Sequence, residues 1–376
     1  MTGDGAPPDP GRNARNKSAL VFVAALLILT VLAAIGIANG IYAELFIIPM
    51  AACFAVLYYC KESILCFAIP VVLVIAIMIF PEILIDTLLT LNAYAIIGAI
   101  IAIMFSHEFS RAGITLSAAI AAAVCYFIAF MEYVNDVAGE ISLPAISAVI
   151  DVELQAASGI LSEAYTVYFE SAGVAITEAQ VSSYVQEILI NTKLILPSMF
   201  VIAMSVLAYI ITSLFRFVYN IGTPASFKKI EKDAWRLKTS VATAVVYMIL
   251  IISQLFLNGE ESKLPLIVVT NMLYILSPVM ALSGWYYLYD KFRAGSGGRK
   301  AVYIVVFVLS VFVLGTLVLA IIAVFGIYSV IIVNIRSFRE RMNNKLFDGE
   351  GEHKDDEKEG FFAWLKRIFG SHDDDD

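Results

Sequence analysis

Charge is scarce in this chain. Lys, Arg, Asp and Glu supply 15% of its 376 residues, while 60% are apolar and mean hydropathy is +0.84; soluble domains carry roughly 25% charge. The few charges are segregated, leaving uncharged blocks of 16 to 35 residues, and about 20 apolar residues in a helix cross a bilayer core. One soluble core cannot absorb that surface, so spanning helices are the simplest reading. Hydrolase signatures are missing too: there is no GxSxG, no HExxH after His107-Glu108 and no Walker A lysine motif. Glu260-Glu261 opens like an intramembrane prenyl-protease motif, but Pro265 stands where an Arg is needed. No enzyme activity, catalytic residue or cofactor is expected. The four cysteines, Cys53, Cys60, Cys66 and Cys125, lie in or beside apolar blocks without ligand spacing. They read as buried reduced thiols and not as a metal site, with a Cys60–Cys66 redox pair as the alternative.

Charged punctuation separates the candidate spans Ser18–Ala38, Leu45–Cys60, Ser63–Pro81, Thr87–Ser106 and Ala112–Met131, then Leu194–Phe215, Thr239–Leu257 and Leu264–Tyr289. A final block of 35 residues runs from Ala301 to Ile335. The first block is longer than a signal-peptide core and is expected to remain as an anchor. Short cytoplasmic loops carry the basic excess, so Arg12, Arg15 and Lys17 place the N-terminus inside. Alternation then puts Lys61, Arg111, the six basic residues from Arg216 to Lys238, and Lys291 to Lys300 inside as well. Arg336, Arg339, Arg341 and Lys345 also require the cytoplasm, so the last block must go out and return. As one helix it would run about 52 Å at 1.5 Å per residue, against a core of roughly 30 Å. A hairpin broken near Gly315, or a re-entrant end at Phe325-Gly326, is predicted. The alternative is nine spans with the tail outside.

The expected fold is therefore all-α, a polytopic transmembrane bundle of about eight spans plus a C-terminal hydrophobic hairpin or re-entrant segment. Residues 1–17 form a cytoplasmic N-terminus, 18–132 the first five spans, 133–192 an extracellular amphipathic helical insert, and 193–342 the remaining spans and hairpin. Residues 343–376 form an acidic cytoplasmic tail. Within the insert, Val181, Tyr184, Val185, Ile188 and Leu189 share one helical face, and Ile160, Leu161, Tyr165 and Phe169 supply a second. From Glu132 to Thr192 there are nine Asp or Glu and no Lys or Arg. In the tail, residues 360–370 suit a short helix on the inner leaflet.

The blocks read as spans contain no ionisable Asp, Glu, Lys, Arg or His, whereas ion-driven carriers keep such groups at membrane depth for coupling. Polar groups at depth or at the outer rim are Asn92, Tyr94, Glu132, Tyr133, Asn135, Asp136, Asn271 and Tyr274. All but Tyr133 are candidate solute contacts; the bland reading of each is interhelical hydrogen bonding. In the first span Gly36 and Gly40 form GxxxG, with Ala34 and Ala38 at the same spacing, suited to close helix packing or to docking a partner helix. Gly98 and Ala102 form a weaker pair. Pro49, Pro70, Pro197 and Pro278 can break or kink their helices.

Taken in order, Gly173-Val-Ala-Ile-Thr-Glu178, Leu194-Ile-Leu-Pro197, Phe227 to Trp235-Arg236-Leu237, Asn271 to Gly284, and Gly326-Ile-Tyr through Arg336-Ser-Phe-Arg-Glu-Arg341 form a recognisable series. It resembles the YybS-like family of bacterial predicted membrane proteins over residues 18–342. Lys238 departs from it, standing where that family has proline. The family is in turn distantly similar to the substrate-capture S components of energy-coupling-factor transporters. The resemblance implies a multi-pass membrane protein and, as fold-level analogy, cannot alone supply a function. The charge-free spans, the small-residue stripe of the first helix and an external insert able to cover a pocket lead to the expectation of a subunit of a bacterial cytoplasmic membrane, both termini inside, that takes up a small solute with a separate ATPase module. The alternative is a membrane scaffold or regulator without transport, using anionic lipid at the basic loop 216–238. Beyond the bilayer and these partners nothing is implied, nucleic acid included.

Overall fold

The computed structural model describes residues 10–38, 44–61, 64–68, 70–71, 85–223, 227–231, 235–237, 239–257, 263–294, 321–332 and 335. Among them there are helices and no strand. The chain divides into two units, residues 1–237 and 238–376.

The first unit contains α1 (Pro10–Ala38), α2 (Glu44–Lys61), a 3-10 turn (Ile64–Phe67), α3 (Ile85–Ser106), α4 (Arg111–Ala138), α5 (Leu143–Ser171) and α6 (Glu178–Gly222). The starts are encoded locally. Ser110, Ser142 and Thr177 each cap a helix by accepting a hydrogen bond from a backbone N–H three residues on, and Gln180 completes a capping box with Thr177. α4 stops where Gly139 takes φ 74° and its N–H returns to the Asn135 carbonyl, a left-handed closure open to glycine at little cost.

Small residues decide the packing, because lipid tails are as apolar as leucine and give helices no hydrophobic reason to associate. α2 and α3 cross at Gly98, where an added Cβ would lie 2.7 Å from the Ala51 carbonyl oxygen and 3.1 Å from Ala55 N. Ala51, Ala52 and Ala55 of α2 and Ala95, Ala99 and Ala102 of α3 are all buried. α1 presents Ala19, Phe22, Leu26, Thr30 and Ala33 inward and leaves Leu20, Leu27, Ile28 and Val31 outside. Gly36 is buried; the side chains of Ala34 and Ala38, and Gly40 altogether, lie outside the described residues. Between α4 and α6, the buried hydroxyls of Thr115 and Thr212 pair at 3.2 Å.

Two expectations are corrected in the insert. The amphipathic stretch from Thr177 and the span from Leu194 are one helix, the 45-residue α6, which continues through Pro197 and measures about 67 Å at 1.5 Å per residue. Its Val181, Val185 and Leu189 pack on Leu154, Leu161 and Tyr165 of α5, so the two apolar faces meet each other. Ile160, grouped with that inner face from the sequence, is 75% exposed. Lys193 of α6 also bridges to α5, pairing with Asp151 at 2.6 Å and donating to the Ser147 hydroxyl.

The second unit contains α7 (Val241–Phe256), α8 (Lys263–Ala294) and α9 (Ile321–Ile332). Tyr247 bonds to Ser277 at 2.9 Å, and Thr239 to Ser283, across α7 and α8. The re-entrant end predicted at Phe325-Gly326 is not seen, since α9 runs helical through both residues. Gly326 is instead a crossing point: an added Cβ there would lie 2.0 Å from the Met280 carbonyl oxygen, and one at Gly284 would lie 1.9 Å from that of Ile322. The alternative hairpin break at Gly315 falls outside the described residues, as does most of the span Ser63–Pro81.

Candidate functional site

Among the candidates whose side chains are described, Tyr94 is the most buried. It lies on α3, 1% exposed, its ring edge-on to Phe54 of α2 at 5.8 Å. Phe54 in turn meets Phe67 of the 3-10 turn at 5.4 Å and Tyr58 at 6.3 Å, closing an aromatic group around the α2–α3 crossing. The Tyr94 hydroxyl is buried with no hydrogen-bond partner, an uncommon state for a buried polar atom.

The other candidates do not join it. Asn92 has its side chain outside the described residues. Tyr94 lies 12 residues before Ser106, and Glu132 lies 21 residues after Arg111, so along the antiparallel α3 and α4 their levels differ by about 13 Å. Glu132 is half-buried, and Asn135 and Asp136 are exposed on the last turn of α4. Their neighbour Tyr133 donates to the Glu153 carboxylate, tying α4 to α5. In the second unit, Asn271 donates to the Ile267 carbonyl at 2.9 Å, within its own helix, and Tyr274 is 47% exposed.

Sequence reasoning missed a second polar constellation at the Arg111 end of the first unit. Arg111 opens α4, is 9% exposed, and is the one buried charged side chain among the described residues. Its guanidinium donates to the Trp235 carbonyl and, at 2.7 Å, to the Ser213 hydroxyl, and lies over the Tyr209 ring at 4.6 Å. A guanidinium suits this place because it combines a planar donor fork with stacking on rings. Trp235 is buried against Phe105 and Phe215, and its indole N–H donates to the Thr212 carbonyl at 3.2 Å.

The described residues of the segment read as a cytoplasmic basic loop are fastened down. Arg216 and Asn220 both donate to the Ile230 carbonyl, Ile230 N–H returns to Asn220, and Lys229 holds the carbonyls of Asn220 and Thr223 at 2.7 Å. Those carbonyls are the unpaired acceptors at the end of α6, where a cation also complements the helix dipole. Lys228 remains exposed. The signal available in the sequence was a single tryptophan between charged residues, opposite a lone arginine at a span start.

Among the described residues no group of three or more His, Cys, Asp or Glu is placed to hold a metal, and all four cysteines are free thiols. Among the described residues four helices, Arg111–Ala138, Leu143–Ser171, Glu178–Gly222 and Leu264–Ala294, are long and apolar enough to cross a membrane, and five shorter apolar helices accompany them. The molecule is a helical, multi-helix membrane protein. The chain belongs to the family described as "Predicted membrane protein (DUF2232)", which it matches over residues 22–328, from Phe22 in α1 to Tyr328 in α9. No curated protein and no solved structure matches it.

Proposed function

We propose that this chain is a membrane subunit that captures a small solute in the α2–α3 region of its first unit, its energy coming from a separate ATPase module on the cytoplasmic side. The carrying observation is the Tyr94 hydroxyl, buried without a partner. Leaving such a group unpaired costs about 1–3 kcal/mol, and an acceptor on a bound solute removes that cost. Charge distribution supports the reading: the one buried ion among the described residues, Arg111, lies at a helix start and holds a loop, so ion coupling at depth has no evident carrier.

Topology is part of the proposal. With the basic segment Arg216–Leu237 inside, α6 leads from outside to inside and α4 from inside to outside, so α5 and the start of α6 form an external hairpin. Were α5 to cross, the basic segment would end on the outer face. Both termini then lie in the cytoplasm of a bacterial cell, and relation to YybS-like proteins and to transporter S components belongs to the same reading. So does the absence of enzyme activity. Anionic lipid can be drawn to the basic segment through the exposed Lys228, while Arg216 and Lys229 already hold carbonyls.

The test is native mass spectrometry of the protein released gently from its own membrane. A stoichiometric small-molecule adduct that is lost in Tyr94→Phe, together with retained ATPase subunits, is the expected result. Clean apo protein carrying only anionic lipid overturns it and favours a membrane scaffold.

A further inference from the structure

Helix α5 uses two faces and leaves part of one without an occupant. Leu154, Leu161 and Tyr165 pack on α6, while Ala145 and Val149 pack on Val134 of α4. Beyond the reach of α4 that second stripe continues as Val152, Ala156, Gly159, Ile160, Glu163 and Val167, steps of three and four that keep to one side of a helix. Every one of these is exposed, Ile160 at 75% and Val152 at 62%. A Cβ added at Gly159 would meet nothing within 4 Å, so a second helix backbone could come close here.

Charge decides which occupant fits. Hydrocarbon is a poor one, because Glu163 and, one turn past Val167, Glu170 lie on the stripe itself. A second copy is poor as well: from Glu140 to Glu187 the hairpin carries seven carboxylates and no Lys or Arg, and the nearby Lys193 is already paired with Asp151. Two such surfaces repel, whereas an apolar seam that carries carboxylates is complementary to a helix whose apolar seam carries cations. We propose that this face of α5 is the docking seat for a cationic amphipathic helix of a partner protein. It goes beyond solute capture, sharing with that reading only the external position of the hairpin.

The experiment uses the full chain in nanodiscs of zwitterionic lipid, titrated with a fluorescent lysine–leucine helix of about three heptads and with its glutamate–leucine counterpart. The lysine helix is expected to bind above the level of empty nanodiscs, and its affinity to fall about tenfold in Ile160→Ser/Val167→Ser. Glu163→Gln/Glu170→Gln should also weaken binding and flatten its salt dependence. Both pairs alter exposed side chains only, and retained thermal stability separates lost binding from lost fold. Equal binding of the two peptides, unchanged affinity in both variants, or self-association of the chain abolished by the apolar pair overturns the proposal. In a separate arm, Ile160→Cys is treated with a membrane-impermeant maleimide against the unmodified chain as background. Labelling is expected, and its failure places the face in lipid and overturns the proposal without touching the Tyr94 adduct measurement.

Discussion

Replacing Gly98 with alanine adds one methyl group at the point where α2 and α3 approach most closely. The new carbon would stand 2.7 Å from the Ala51 carbonyl oxygen, with Ala55 N at 3.1 Å and a Phe54 ring carbon at 3.2 Å. The nearest atoms belong to backbone, which cannot swing aside as the tip of a flexible side chain would, so α2 must retreat by about 0.7 Å to regain ordinary contact. Overpacking of this kind costs typically about 1–3 kcal/mol, while exchanging glycine for alanine inside a helix returns about 0.5–1 kcal/mol. The balance is a loss of up to about 2 kcal/mol by the same bookkeeping. Gly159 is the internal control, also within a helix but with nothing within 4 Å of the added carbon; Gly159→Ala should show only the propensity gain. Thermal unfolding of the two variants in the same lipid or detergent, followed by loss of monodisperse protein, should move the midpoints in opposite directions. A Gly98→Ala protein stabilised as much as Gly159→Ala would refute the close crossing.

Trp235→Ala should remove roughly 3 kcal/mol of local stability, the lower end of the range for a buried aromatic because a loop can partly close the gap, and should raise hydrogen exchange at residues 227–231 and 235–237. Arg111→Leu, which leaves the Trp235 carbonyl without its donor, should raise exchange in the same segment; unchanged protection there in both variants would rule out the fastening role. Tyr94→Phe should leave the unfolding midpoint unchanged or raise it by the equivalent of about 1 kcal/mol, since it removes a buried hydroxyl with no partner; a clear loss of stability in ligand-free protein would mean the hydroxyl is bonded after all. Lys193–Asp151, with side chains 38% and 57% exposed, should show a coupling below about 1 kcal/mol in a double-mutant cycle, falling further at high salt.

Sequence alone determined the solvent and the helices. Uncharged blocks of spanning length are a property of composition, and the described helices follow them: Glu44–Lys61 over the block Leu45–Cys60, Ile85–Ser106 over Thr87–Ser106, Val241–Phe256 over Thr239–Leu257. The caps at Ser110, Ser142 and Thr177 are similarly local, requiring only a side chain three residues from the N–H it accepts. Glycine was less legible. Gly98 stood out as a small residue, but which helix it meets depends on α2, well before it in the chain, and Gly326 looked like the end of a re-entrant segment although it marks where α9 crosses α8.

Tertiary structure alone decided how polar and charged groups are used, because hydrogen bonds and burial join residues far apart in sequence. Arg111 and Trp235 are separated by 124 positions, and no period or spacing links them. The basic residues Arg216 and Lys229 counted toward orientation but gave no sign that Arg216 would hold the Ile230 carbonyl or that Lys229 would grip the end of α6. Of the candidate solute contacts, only Tyr94 combines deep burial with an unpaired atom among the described residues. That distinction could not be read from composition, since hydropathy places a residue at a depth in the membrane, while its neighbours across the helix interface determine whether its polar atom is satisfied.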